Sequence, residues 1–430
     1  MKKGVRLCIT GSEVMNGFVL DKNTQFFASE LYALGYELKE SRILPDNPDA
    51  IIRAWQELAQ TGDIIVNSGG LGPTSDDLTV DLLCRWLDDV PRYDEYAEKR
   101  TRYFFEKRAQ REGEKTRDSV HKISLETALR QARLPSRAQP IKNNVGLAPG
   151  FYLPQIHFIA LPGFPDEIKG MWKETLTLIE SLGVEKSATK IIPIWGVGES
   201  QLFSMLQPHS EITLGVHALP WGCRLFLRSP SSQNAALDAY RATLEEKFPM
   251  QIMENPVVEL MNLLKEKRLS LALAESCTGG LAAKQVTDIA GSSAVFKGAA
   301  VTYANETKTA LVGVSRKILE EHGAVSAPCA KAMAEGASKA LDADVTLSFT
   351  GIAGPTGGTP TKPVGTVFIG IHHRTEKMTR VARFQFPLGR ERFRNATVAC
   401  GFLAATQMLT VNLQSTVQEK QAYWPARLFA

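Results

Sequence analysis

Two short stretches of this chain combine residue types that can break an amide or hold a phosphate. The first is AESCTGG, residues 274–280, set between a strand-like run, KRLSLALAE, and a helical pattern over residues 280–289. A serine at a strand-to-helix turn, here Ser276, lies where backbone N–H groups can stabilise an oxyanion, which an acyl-transfer nucleophile requires. Its hydroxyl is a weak nucleophile without a base. His322, His372 and His373 fall outside any motif, so a Ser-His-Asp arrangement is not expected. The base on offer is Lys308 or Tyr303, in VTYANETK. Tyr303 is expected to end a strand and Lys308 to fall just inside the next helix, both facing the serine turn. An ammonium beside a phenol lowers the phenol's pKa, and the pair could then take the serine proton.

Cys277 is a rival nucleophile, but without a histidine partner it reads better as a small buried residue of the turn. Helix capping by Ser276 or Thr278 would account for the turn taken alone. Two further segments argue for a ligand. SFTGIAGP, residues 348–355, places Thr350 at the mouth of another Gly-rich loop, and GRERFR brings Arg390 and Arg394 to a helix start. Arginines are planar multi-donor cations and suit a phosphate, although a solvated helix face is their commoner use.

The second stretch is GGLGPTSDD, residues 69–77, between a strand and a helix expected over residues 78–87. Gly69, Gly70 and Gly72 would let the backbone approach an anion, Thr74 and Ser75 add hydroxyls, and Asp76 and Asp77 could hold a divalent cation. A tight turn with Asp caps serves equally for the loop in isolation. NNVGLAPG (143–150) and LPGFPDE (161–167) tip the balance, since three polar loops could gather at the carboxyl edge of one sheet.

The elements that would position these loops alternate. Residues 6–10, 38–44 and 63–67 read as strands, and residues 22–34 and 48–59 as helices, with Gly35 just past the first. That alternation predicts a parallel sheet with helices on both faces. Residues from about 91 to 140 read as charged and helical, and the basic run from Lys99 to Arg117 as a solvated helix face. A small α+β segment follows from about residue 170, with strands at 190–198, 211–219 and 224–228, a helix from Glu199 and another to Phe248. The ENP at 254–256 reads as a hinge into a second α/β region ending near residue 413.

At 430 residues the chain exceeds the roughly 250–300 that one core supports. Its 44% hydrophobic and 22% charged residues exclude a disordered or fibrous protein, and a net charge of +4 is too small to make nucleic acid the default partner. No apolar run reaches the roughly 20 residues of a membrane helix, and the N-terminal apolar stretch breaks too early for a signal peptide. Six scattered cysteines without C-x-x-C or zinc spacing fit reduced thiols in a cytoplasmic protein.

The N-terminal motifs, GGLGPTSDD, Asp21 with Asn23, NNVGLAPG and PGFPDE, resemble the molybdenum-cofactor-biosynthesis-like domain that opens the competence/damage-inducible CinA family. ESCTGG, DIAGSSAVF, VTYANETK, HGAVS, TGIAGPTGG and KPVGTV, in that order, resemble the nicotinamide mononucleotide deamidase domain that closes it. The resemblance implies two separate α/β domains, residues 1–170 and 254–415, joined by a KH-type α+β connector (171–253) and followed by a tail (416–430). The connector lacks the glycine loop that clamps nucleic acid in true KH domains, which points to a structural part.

By resemblance the C-terminal domain converts nicotinamide mononucleotide to nicotinic acid mononucleotide and ammonia, without a cofactor. Ser276, Tyr303 and Lys308 fall on the family's catalytic set. Thr278, Thr350, Arg390 and Arg394 fall on substrate positions, with Gly279, Gly280 and Gly351 beside them. The N-terminal domain would hold a nucleotide phosphate on Gly69, Gly70, Gly72, Thr74 and Ser75. It would take magnesium or cobalt on Glu13, Asp76, Asp77 and Glu167 to hydrolyse ADP-ribose. That second activity is expected to be weak or absent. Gly11-Ser12-Glu13-Val14 stands where the family has Gly-Asp-Glu-Leu, Leu147 replaces a threonine, and Ala128 opens a segment that usually begins with asparagine. Leu388-Gly389 stands where Gly-Asp normally precedes the first arginine. Implied partners are small-molecule nucleotides and a second copy of the chain. The competing readings are an ADP-ribose pyrophosphatase and a non-enzymatic binding protein of competence.

Overall fold

A computed structural model describes residues 3–112, 124–230 and 234–410. The chain forms two compact units, Met1–Thr189 with Arg228–Asn234, and Lys190–Leu227 with Ala235–Ala430. Among the described residues no helix is long and apolar enough to cross a membrane.

The strands of the first unit are β1 (Val5–Thr10), β2 (Leu38–Leu44), β3 (Ile64–Ser68), β4 (Pro91–Tyr93), β5 (Arg133–Pro135), β6 (Gln139–Ile141), β7 (Gly150–Leu153) and β8 (Phe158–Leu161). Six of them make one sheet, β2-β1-β3-β8-β7-β6. Its inner strands β1, β3, β8 and β7 are buried on both faces, and side chains sort by a period of two. Leu7, Ile9, Ile64 and Val66 pack with Phe27, Leu31, Ile168 and Met171, while Cys8, Ile65, Phe158 and Ala160 pack with Ile51, Trp55 and Leu83. The helices Lys22–Ala33 and Pro165–Ser181 therefore cover one face, and Pro48–Ala59 and Thr79–Leu87 the other.

Three expectations need correction here. The sheet is mixed, since β7 runs antiparallel to β6 and β8. Only the one-turn helix Pro154–Ile156 joins β7 to β8, too short a link for the crossover a parallel pair demands. Residues 91–140 are not continuously helical. Helices Glu95–Glu112 and Leu125–Leu129 are flanked by β4 and β5, which pair antiparallel, and by β6. Pro91, Pro135 and Pro140 lie in those strands, where a helix would have lost a hydrogen bond at each. On the helix, Lys99 pairs with Glu95 and Arg102 with Glu98 one turn apart; the far end of the basic run lies outside the described residues. Finally, the boundary at 170 falls inside Pro165–Ser181, whose Met171, Thr175 and Ile179 are buried, so the first unit runs on to Thr189.

β9 (Ser187–Trp195), β10 (Thr213–Leu219) and β11 (Gly222–Pro230) form a three-stranded sheet, β10-β11-β9, with helices Glu199–Met205 and Asn234–Lys247 following β9 and β11. Most of this small α+β segment groups with the C-terminal residues, where Trp195 packs on Ala399 and Leu403. The second large sheet is β13-β12-β14-β15-β16, made of β12 (Leu271–Glu275), β13 (Phe296–Val301), β14 (Val345–Gly351), β15 (Thr366–His373) and β16 (Met378–Gln385). Leu271, Leu273, Leu347 and Phe349 pack on Leu260, Leu264, Phe393 and Phe402. Ala274 faces Val312, Met333 and Ala337 across the sheet.

β12 lies between β13 and β14, which both run parallel to it, so all three end at one edge, with Glu275 beside Val301 and Phe349. The loops leaving that edge carry the residues with chemistry. One of them leads into the helix Asn305–Val312, which is pressed against the helix Ala327–Ala340 at Gly336. A Cβ there would overlap the carbonyl oxygen of Val312. Gly336→Ala is therefore expected to destabilise the fold by about 1–3 kcal/mol, the usual cost of overpacking. Urea unfolding should show a lowered midpoint; an unchanged midpoint would mean the two helices separate freely.

Candidate active site

Ser276 is the first residue beyond β12, and its N–H donates to the Phe349 carbonyl at 2.9 Å. Gly279 and Gly280 adopt φ of 57° and 90°, a left-handed pair that only glycine enters cheaply, and the chain turns directly into the helix Leu281–Thr287. Glu275 fills the inside of that turn. Its buried carboxylate accepts N–H bonds from Gly280 at 2.9 Å, Ala282 at 3.1 Å and Ala283 at 2.8 Å. The helix N–H groups that the sequence offered to an oxyanion are thus already engaged. Apart from the Cys277 N–H lying beside its own thiol, the N–H groups of Cys277 and Thr278 donate to no described group.

Lys308 is buried, and its Nζ donates to Ser276 Oγ at 3.1 Å, to the Thr302 carbonyl at 2.7 Å and to the Tyr303 carbonyl at 3.3 Å. Among the described residues no carboxylate pairs with it. Burial lowers its pKa from the ordinary lysine value, because the charged form loses its hydration. Tyr303 departs from the expected pairing. Its side chain is exposed, and its hydroxyl accepts from Arg390 Nη2 at 2.9 Å, so the cation beside the phenol is Arg390 rather than Lys308.

Cys277 sits in the core below the turn, and burial pushes its thiol pKa up to about 12. A thiol so placed stays protonated at neutral pH and is a poor nucleophile. Arg394 donates Nε to the Thr278 carbonyl at 3.0 Å, with Nη2 on the same oxygen, while Arg390 Nη1 donates to the Gly354 carbonyl at 2.9 Å. Among the described residues the buried Thr278 hydroxyl has no hydrogen-bond partner. Thr350 spends its proton on the Ala324 carbonyl at 2.6 Å, and Gly351 lies against β15, where a Cβ would stand 2.7 Å from the Thr366 carbonyl oxygen. Ser276, Lys308, Thr278 and Arg394 are therefore linked directly or through one main-chain group, with Tyr303 and Arg390 tied to each other.

In the first unit the loop after β3 is drawn tight. Gly69 and Gly70 have φ of 113° and 68°, and a Cβ on either would overlap Thr10 or Thr79. Trp55 Nε1 donates to Asn67 at 3.0 Å, and Thr79 Oγ1 to the Gly69 carbonyl at 2.9 Å. The other polar loops adjoin it. Asn23 Nδ2 donates to Ser68 Oγ at 3.0 Å and to the Gly163 carbonyl at 2.7 Å, leaving its buried Oδ1 without a partner. Asn143 Nδ2 donates to Glu167 at 2.6 Å.

The carboxylates expected to hold a metal do not converge. Asp77 turns back onto the N–H and hydroxyl of Thr74 and lies against Gly72, and Glu167 is taken by Asn143. Ser75 and Asp76 stay on the exposed rim of the loop. Among the described residues no three His, Cys, Asp or Glu side chains form a group able to hold a metal ion. Glu13, Asp76, Asp77 and Glu167 therefore do not fit the metal site expected of them.

The comparisons with known proteins follow the same division. Residues 254–409 match the family described as the CinA C-terminal domain, and residues 6–181 match the probable molybdopterin binding domain. A CinA-like protein of Leptospira borgpetersenii is 34% identical over 407 residues, which cover 91% of this chain and 95% of that protein. The chain belongs to the CinA family. A CinA-like protein of Akkermansia muciniphila is 35% identical over 403 residues, 91% of this chain and 94% of that one. Among solved structures, the competence/damage inducible protein CihA of Agrobacterium tumefaciens is 38% identical, with a TM-score of 0.33. The match covers 36% of this chain and 95% of that one.

Two groups at this CinA-family site escaped the sequence reading. Glu275 was visible as an acidic residue closing an otherwise apolar strand just before a Gly-Gly turn, a placement that suits helix capping. The Thr302 carbonyl, which holds Lys308, carries no side-chain signal. The buried thiol gives a direct check on the turn. Iodoacetamide at pH 8 is expected to leave Cys277 unmodified in the native chain and to alkylate it in urea, read by peptide mass spectrometry. Equal modification in both states would mean that the turn is open.

Proposed function

We propose that the C-terminal domain hydrolyses the carboxamide of nicotinamide mononucleotide, giving nicotinic acid mononucleotide and ammonia. The observation that carries this reading is the 3.1 Å hydrogen bond between Lys308 Nζ and Ser276 Oγ, made by a lysine that no described carboxylate pairs with. Neutral Lys308 takes the Ser276 proton as Oγ attacks the carboxamide carbon. The resulting tetrahedral intermediate expels its nitrogen, which takes the proton from Lys308 and leaves as ammonia. Water then attacks the acyl-serine ester, again with Lys308 as base, and restores Ser276. Arg390 and Arg394 keep further N–H donors for the nucleotide phosphate, and Tyr303 steadies Arg390. The family resemblance adds the substrate, a cytoplasmic setting and a homodimer to the proposal. ADP-ribose hydrolysis by the first unit is disfavoured because its carboxylates are spent locally.

Purified protein given nicotinamide mononucleotide is expected to release ammonia, and Ser276→Ala to lose at least roughly 10³-fold in kcat. Cys277→Ala should keep most activity, and a chelator should change nothing. A dead Cys277→Ala beside an active Ser276→Ala would overturn the nucleophile.

The base makes a separate prediction. Burial holds the Lys308 pKa below the 10.5 of a free lysine, so kcat/KM should rise with pH as Lys308 loses its proton and level off before that value. Lys308→Ala should lose the activity together with this limb of the profile. Tyr303→Phe should mainly raise KM, since its hydroxyl meets Arg390. If Tyr303→Phe proves as inactive as Lys308→Ala at unchanged KM, the proton goes through the phenol after all.

A further inference from the structure

Glu275 stands where the strand pattern calls for an apolar side chain. Leu271 and Leu273, four and two residues before it on β12, enter the core under Phe393 and Phe402, and period two sends Glu275 to the same face. It is fully buried, and among the described residues no cation pairs with it. Burying a carboxylate is costly unless its oxygens are satisfied, and here the N–H groups of Gly280, Ala282 and Ala283 satisfy them. A leucine at this position would pack without that cost, so a local rule is broken next to the reactive serine, which is where function tends to break one.

We infer that Glu275 is a positioning residue for the Ser276 turn, fixing which N–H groups meet the substrate oxygen. The inference rests on the deamidase reading for its substrate. By engaging the start of the Leu281–Thr287 helix, Glu275 removes those N–H groups from competition for an anion. The groups left over are the N–H of Cys277 and of Thr278, immediately after the nucleophile. The turn is pinned on its other sides by the Phe349 carbonyl, which accepts from Ser276 N–H, and by Arg394 on the Thr278 carbonyl. With Glu275 as the third anchor, the two free N–H groups are held as a preorganised donor pair for the oxyanion.

Glu275→Gln keeps the shape but sets an NH2 group against one of the backbone donors, so one anchor is lost. The full-length variant is expected to lose about 100-fold in kcat, the scale of a displaced oxyanion donor, with KM within about threefold of wild type. Phosphonylation of Ser276 by a fluorophosphonate probe, which also needs the oxyanion donors, should slow by a similar factor. Glu275→Asp, charged but one methylene short, should fall between the two and carries the test if Glu275→Gln does not fold. A merely structural role predicts a lower melting temperature with kcat and labelling rate unchanged in the folded protein, and that result overturns the inference. Wild-type protein that releases no ammonia while the probe still labels Ser276 overturns the deamidase reading, and the labelling ratio still decides Glu275. A wild-type Ser276 that the probe does not label overturns both.

Discussion

Burial with no described carboxylate beside it disfavours the charged form of Lys308, and much of the C-terminal domain serves to bring together the oxygens that orient its Nζ. The carbonyls of Thr302 and Tyr303 accept from its Nζ, and Ser276 Oγ completes the set. Thr302 is itself held, since its N–H donates to the Glu275 carbonyl at 2.7 Å. The contacts therefore close a ring, from Glu275 through Thr302 and Lys308 to Ser276, which is bonded covalently back to Glu275. Such a ring exists only if β12 and β13 are adjacent, parallel and in the observed register, with Glu275 opposite Val301. A one-residue slip would turn Glu275 and Ser276 to opposite faces and break every link at once.

The first unit shows what the same local architecture becomes without such a ring. Its glycine loop also leaves a parallel strand for a helix, and its backbone is bent just as sharply at Gly69 and Gly70. Its polar side chains, however, bond to one another. Thr79 binds the Gly69 carbonyl, Asp77 binds Thr74, and Asn143 binds Glu167, so stability has taken up the groups that chemistry would need. Asn23 differs, since among the described residues nothing partners its buried Oδ1 beside Ser68 and Gly163.

The sequence made the approach of Ser276 and Lys308 legible for a physical reason. Both follow the ends of apolar runs, and runs of that kind become neighbouring strands of one sheet whose carboxyl edge gathers the loops. The succession of strand-like and helix-like runs over residues 6–67 likewise announced a sheet covered by helices on both faces. Where a side chain points once its strand has ended was not legible. Tyr303 and Lys308 are five residues apart, yet one turns outward to Arg390 and the other inward to Ser276. Nor could spacing show that the β7–β8 link would be a hairpin, or that short strands would flank the charged helix after residue 94, because those outcomes depend on pairing partners far along the chain.

The helix Arg390–Thr410 ties the edge that carries Ser276 to the core. Arg390 and Arg394 are one turn apart near the start of Arg390–Thr410, and each grips a different loop: Arg390 the Gly354 carbonyl and Tyr303, Arg394 the Thr278 carbonyl. Between them Phe393 is fully buried and packs against Phe386, which anchors the helix start to the end of the sheet. The spacing of the two loops is thereby set by one helical turn rather than by the loops themselves. A phosphate drawn to these guanidiniums would find their positions fixed in advance by the same helix that closes the core, so its binding would order little that is not already ordered.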